Sequence, residues 1–429
     1  MHLLNKLKLF FVKETLRPGF NAAKEIFKYI GPGLLVTVGF IDPGNWASNV
    51  AAGSMFGYNL LWIVTLSTIM LIVLQHNAAH LGIVTGLCLA ESANQNLKKW
   101  FSNTVLITAM LAIIATALAE ILGAAIGLKM LFHLDLRVGA ALSAIFVLWM
   151  ILSNSYQKLE KWIIGFVSFI GIAFLVELLL TPHIAWMTTA TSFVVPSFPQ
   201  GAILVIVSVL GAVVMPHNLY LHSEFIQSRQ YNLQGEESIR KQLDMEFIDT
   251  LFSMIIGWAI NASMIIIAAA VFFAHNIPVT ELEQAKDMLA PLVGPAAAII
   301  FALALLAAGV ASSVTAGMAS GTIFAGMIGE QFDLKDKHSR AGIIITIVCA
   351  AIAVIIIAST GDPFKALVIS QAILSLQLPL TIIAQIMLTS SPQVMGKYAN
   401  STRSKILLWV IAGIVIILNA WLLIAMVKN

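Results

Sequence analysis

The chain has 429 residues, 59% of them hydrophobic and only 10% charged, with a mean hydropathy of +0.93. Soluble domains carry about a quarter charged residues, so the composition excludes a soluble enzyme or binding module and describes an all-α polytopic membrane protein in contact with lipid. The formal net charge of +3 is too small to point to nucleic acid, and the two cysteines, Cys88 and Cys349, make neither a metal-spaced pair nor a disulfide framework.

Residues 1–29 form a basic, amphipathic lead-in (Lys6, Lys8, Phe10, Phe11, Lys13, Arg17) with no small-residue cleavage pattern after it. They read as a cytoplasmic segment and not as a cleaved signal. Eleven apolar stretches follow, near 32–56, 59–84, 104–131, 138–153, 162–180, 200–226, 248–274, 293–326, 341–359, 364–388 and 404–426. Each is close to the length of about 20 residues that crosses a hydrocarbon core. Lysine and arginine orient them. With the N-terminus in the cytoplasm, the lead-in and the loops after even-numbered spans hold 19 of the 24 basic residues. Only Lys129, Arg137, Lys286, Lys365 and Lys428 remain opposite. An odd number of spans places the C-terminus outside, and the predicted location is the plasma membrane.

Two spans are interrupted by similar tetrapeptides. The first contains Asp42-Pro43-Gly44-Asn45 and the sixth Met215-Pro216-His217-Asn218. Each has a metal-binding side chain, then proline, a spacer and asparagine. Five spans per copy invert the second relative to the first, and matched interruptions in two halves point to an inverted-repeat transporter with its site at the midplane. The predicted division is residues 30–181 for the first five-helix repeat, 200–390 for the second and 391–429 for an additional C-terminal transmembrane helix.

Each proline removes the amide that would serve the carbonyl four residues back. Those carbonyls belong to Gly39 and Ala212, and bare carbonyls in lipid cost several kcal/mol. A bound cation satisfies them. A proline kink alone is often only structural, but an intramembrane carboxylate is functional by default. Asp42 offers an anionic oxygen, Asn45 a neutral one and Met215 a thioether. Magnesium, calcium and sodium gain little from sulfur, so this set favours manganese, iron(II), cobalt, cadmium or zinc.

These residues resemble the Nramp family of divalent metal transporters. The likeness rests on "DPGN" and "MPHNLYLHS", and extends to "GPGLL", "GYNLLW", "LGIVTGLCLAE", "LAEILG" and "SQAILSLQLP". It implies a LeuT-like fold of two inverted five-helix repeats with spans 1 and 6 broken, and import of Mn²⁺ or Fe²⁺, commonly coupled to protons. It implies metal binding by Asp42, Asn45, Met215 and the Ala212 carbonyl, with Gln371 approaching in some conformations. Gly39 matches a ligand position by spacing. The family's run of acids on the third span is depleted here: Glu120 remains, but Ala117 and Met110 stand at usually acidic positions, and only Arg340 is visible where the family often has an arginine pair. His217, Glu120 and His222 are the remaining candidates for a proton pathway or gating, and coupling is predicted to be weak, altered or absent.

Other features have plainer readings. His76 and His80 share a helix face without a general base between them, and read as interfacial structure. Glu224 ends the sixth span as a gate candidate. The small residues of 307–321 serve close packing, and Asn261 serves a broken helix. Hydrated Mg²⁺ is the alternative substrate; a sodium-coupled organic solute, an intramembrane enzyme and a membrane scaffold are disfavoured, because Asp42 repels carboxylates and no catalytic pair is visible. No resident cofactor is expected, and the chain is predicted to work as a monomer.

Overall fold

The computed structural model describes residues 38–286 and 295–428. The segment 1–29, the "GPGLL" motif and the expected start of the eighth span near 293 lie outside them. Every described element is helical. After a 3-10 turn, Val38–Ile41, come α1 (Pro43–Phe56) and α2 (Leu61–Thr85), then a short α3 (Leu89–Asn96). Next are α4 (Lys99–Phe132), α5 (Leu136–Ser153) and α6 (Tyr156–Leu180), followed by the short α7 (Trp186–Ser192). The second interrupted pair is α8 (Ile203–Val213) and α9 (Pro216–Gln227). The chain continues through α10 (Glu236–Val271), α11 (Pro295–Ile328), α12 (Lys337–Thr360), α13 (Pro363–Thr389), the single turn α14 (Pro392–Met395) and α15 (Thr402–Lys428).

Ten stretches of described residues are long and apolar enough to cross a membrane. The first, Pro43–Thr85, has 43 residues. As one helix it would run to roughly 60 Å, about twice a hydrocarbon core. It turns instead at Gly57, whose φ of 60° suits glycine, and so holds the end of span 1 and all of span 2. The ten stretches and the eleven expected spans are the same helices.

Glycine lets helices approach at backbone distance, which drives association where lipid offers no hydrophobic gain. A Cβ on Gly309 of α11 would stand 2.7 Å from the Glu120 carbonyl and 2.6 Å from the Ala124 amide of α4. One on Gly53 of α1 would stand 2.5 Å from the Ile265 carbonyl of α10. The small-residue stretch 307–321 therefore packs as its composition suggests.

The loops sort to two ends. At one, a cavity of about 490 Å³ is lined by residues following spans 4, 6 and 8, including Asn154, Ser228, Lys335 and Arg340. Asn77 of α2 donates to Asn400 beyond α13, and Lys397 pairs with Glu236 at the same end. This is the basic end. At the other, Tyr58 meets the Ala185 amide, Trp62 donates to the Ser197 carbonyl, and Lys129 pairs with Glu283. Even and odd connections separate, as in any bundle whose successive helices run in opposite directions. A flank cavity of about 990 Å³, lined mainly by apolar residues of α4, α5, α6 and α11, includes neither break.

Candidate metal site at two broken helices

Asp42 caps the N-terminus of α1. Its backbone is extended (φ −70°, ψ 166°), and Pro43 fills the first helical position, where no amide hydrogen is needed. Asp42 Oδ1 accepts from the Asn45 backbone N–H at 2.9 Å and from Asn45 Nδ2 at 2.8 Å. One turn of helix thereby aims a carboxylate and an amide at the same point. The Trp46 indole donates to the Ile41 carbonyl at 3.0 Å, bridging the break from the other side. Its ring sits edge-on to Phe174 and Phe301.

The second break repeats the plan. Met215 holds the cap position before α9, again extended (φ −74°, ψ 122°), with Pro216 first in the helix. Asn218 occupies the place that Asn45 has in α1. The last turn of α8 cannot be continued across Pro216, and the Ala212 carbonyl instead accepts from Asn45 Nδ2 at 2.8 Å. A single side-chain amide therefore ties a carboxylate of one break to a freed carbonyl of the other.

Gln371 of α13 closes the group, its Nε2 3.4 Å from Asp42 Oδ2. Its amide lies so close over Gly44 that a Cβ there would overlap it. Gly39 abuts the Asn218 side chain in the same way. Met215 is fully buried, with its side chain packed against Ala112 of α4 and Leu374 of α13. Asp42, Asn45, Ala212 and Gln371 thus meet directly; Gly39 faces the second break, and Met215 lies in the wall toward α4 and α13. Asn45 Oδ1 and Gln371 Oε1 are buried without a donor among the described residues. Bare buried acceptors cost about 1–3 kcal/mol each, and a cation would satisfy both.

The candidates for proton handling divide. Glu120 and His217 are fully buried, and none of their side-chain polar atoms has a hydrogen-bond partner among the described residues. Glu120 sits one turn before Gly123, whose backbone presses on the Pro43 ring. His222 points elsewhere: its Nε2 lies 3.3 Å from Glu246 Oε1, while Glu246 Oε2 lies 2.5 Å from His76 Nδ1. Thr250 also donates to Glu246, and the His80 ring stacks on His76 at 6.5 Å. Of the His76–His80 pair, His76 joins this buried carboxylate, while His80 stacks on the His76 ring. Glu246 escaped sequence reasoning because α10 begins at Glu236, well before the expected start of span 7 at 248. Glu246 lies two residues before the apolar stretch itself begins. Asn261 bonds Asn49 at 2.6 Å, tying α1 to α10 side chain to side chain.

A family model described as natural resistance-associated macrophage protein-like, Nramp, matches residues 33–425. The chain belongs to the Nramp family. A divalent metal cation transporter MntH from Caldanaerobacter subterraneus subsp. tengcongensis is 37% identical over 410 residues, covering 95% of each chain. One from Bacillus subtilis is 35% identical over 415 residues, covering 96% of each. Among solved structures, a manganese transporter of Eremococcus coleocola matches this Nramp chain with a TM-score of 0.78 and 29% identity, over 92% of this chain and 86% of that one. MhsT, solved with L-phenylalanine, gives 0.61 at 15% identity, over 92% and 98%. That likeness concerns the fold alone, and with it the LeuT-like architecture implied by the sequence is the architecture observed.

Proposed function

We propose that this Nramp chain imports divalent transition metals, Mn²⁺ and Fe²⁺ foremost and Cd²⁺ and Co²⁺ besides, by alternating access. The observation that carries this reading is the Asn45 amide held between Asp42 Oδ1 and the Ala212 carbonyl, one residue from each break. A cation between those two oxygens takes the place of the amide hydrogens. Rotation of the Asn45 amide then presents Oδ1 as a third ligand. The Gly39 carbonyl, Gln371 Oε1 and the Met215 thioether complete the shell as the half-helices shift, Met215 by turning from Ala112 and Leu374. The sulfur selects against Mg²⁺ and Ca²⁺, which prefer oxygen throughout. The basic end faces the cytoplasm, the C-terminus lies outside, and a monomer suffices because both breaks belong to one chain. No cofactor is required.

Proton coupling is weak, altered or absent, with metal running down its own gradient. Ala117 and Met110 cannot titrate, which leaves Glu120 and His217 beside the breaks. His222 is engaged with Glu246.

Purified protein in sealed liposomes tests each part. Mn²⁺ influx is expected, and Asp42→Ala should abolish it. Met215→Ala should retain Mn²⁺ influx while admitting Ca²⁺ and Mg²⁺. Undiminished influx in Asp42→Ala sinks the site, and unchanged exclusion of Ca²⁺ in Met215→Ala sinks the sulfur argument. A pH dye inside the liposomes should stay level as metal enters, and strong metal-driven acidification would overturn the uncoupled reading.

A further inference from the structure

Away from the breaks, three acidic side chains converge near the basic end. Cys88 caps α3: its Sγ accepts from the Glu91 amide at 3.5 Å, while Glu91 Oε2 accepts from the Cys88 amide at 2.9 Å. This reciprocal box fixes both side chains on one short turn. The last turn of α9 brings Glu224 to the same point, helped by a bond from the Leu89 amide to the Ser223 hydroxyl at 2.9 Å. One ligand atom from each of Cys88, Glu91 and Glu224 lies within 4.8 Å of the other two.

All three are nearly sealed, at 1%, 3% and 6% exposure. Glu91 Oε1, Glu224 Oε2 and, next to them, Gln227 Oε1 are buried without a hydrogen-bond partner among the described residues. No basic side chain among the described residues pairs with either glutamate. Burial, with both carboxylates nearby, pushes the Cys88 thiol up, and burial pushes the Glu91 carboxyl up. Such a cluster must hold protons or a cation, because adjacent buried anions repel one another and forfeit their hydration. Access exists: the cavity of about 490 Å³ at the basic end reaches Glu224.

We propose that Cys88, Glu91 and Glu224 form a second metal site, for a divalent transition ion that takes thiolate and carboxylate together. Zn²⁺, Cd²⁺, Co²⁺ and Fe²⁺ suit it, whereas Mg²⁺ and Ca²⁺ do not. Three protein ligands leave one tetrahedral position for water or Gln227 Oε1. Binding releases the thiol proton, and any carboxylate protons, to solvent, and therefore tightens as pH rises. The titratable groups facing the ion are Cys88 and Glu91 from the α2–α3 turn, with Glu224 and Tyr220 from α9. The ion would clamp that turn to α9, the half-helix capped by Met215. The site does not depend on the transport reading.

The test is Cd²⁺ titration of the purified full chain, followed by the ultraviolet sulfur-to-cadmium charge-transfer band. The band should appear in the parent protein and in Cys349→Ser and Asp42→Ala, and vanish in Cys88→Ser. Glu224→Gln, which keeps the thiol, should bind Cd²⁺ about tenfold or more weakly, since loss of outer-shell partners alone costs that much. No band in the parent at mildly alkaline pH, a band surviving in Cys88→Ser, or parent-like affinity in Glu224→Gln would each overturn the proposal.

Discussion

Asn45 divides its amide hydrogens between two oxygens far apart in sequence: Asp42 is three positions away from it and Ala212 is 167. Asn45→Ala should therefore weaken Mn²⁺ binding roughly tenfold to a hundredfold, the equivalent of one hydrogen bond to a charged group, as read by titration of the purified protein. The His222–Glu246–His76 chain carries a second expectation. Glu246→Gln leaves two imidazoles facing an amide, and should lower unfolding stability by about 1–3 kcal/mol; an unchanged melting temperature would show the chain to be idle. Ala212 was legible because Pro216 frees its carbonyl, Asp42 and Asn45 because they are polar ligands flanking a proline inside an apolar span, and Gln371 came with the family motif. Glu246, and the meeting of Glu224 with Cys88 and Glu91, were not legible, because each depends on which helices lie side by side.

The two interrupted helices use one construction: a cap residue in extended conformation, proline first in the helix, asparagine third. Two glycines show how differently their surroundings yield. A methyl at Gly44 meets the tip of the Gln371 side chain, which can swing aside. Gly44→Ala should fold normally yet transport poorly, because Gln371 loses its place against Asp42. A branched side chain at Gly309 meets the backbone of α4, which cannot swing aside. Gly309→Val should cost about 1–3 kcal/mol of stability, seen as a lower melting temperature in detergent. Equal effects of the two changes would refute this contrast. Helix number and both breaks were readable from apolar length and proline. The extension of α10 to Glu236 was not, since its first turns are polar and resemble a loop until packing is known.

For the molecule as a whole, a metal seated between the breaks binds the folded chain and not the unfolded one. Mn²⁺ at a hundred times its dissociation constant should add about 2.7 kcal/mol of stability. Chelation should remove that gain, and Asp42→Ala should never show it. A thermal shift of equal size in parent and variant would place the stabilising ion elsewhere, with the Cys88 cluster as the first alternative. The even-numbered connections, which carry most of the lysines and arginines, gather at one end; protease access in sealed vesicles would check the expectation that this end faces the cytoplasm.

The bond from the Trp46 indole to the Ile41 carbonyl acts as a splint across the first interruption. With that splint in place the two segments can change their angle but cannot drift apart. Any motion there is then a rocking of one rod about a fixed knuckle, with Phe174 and Phe301 as the socket in which the ring turns.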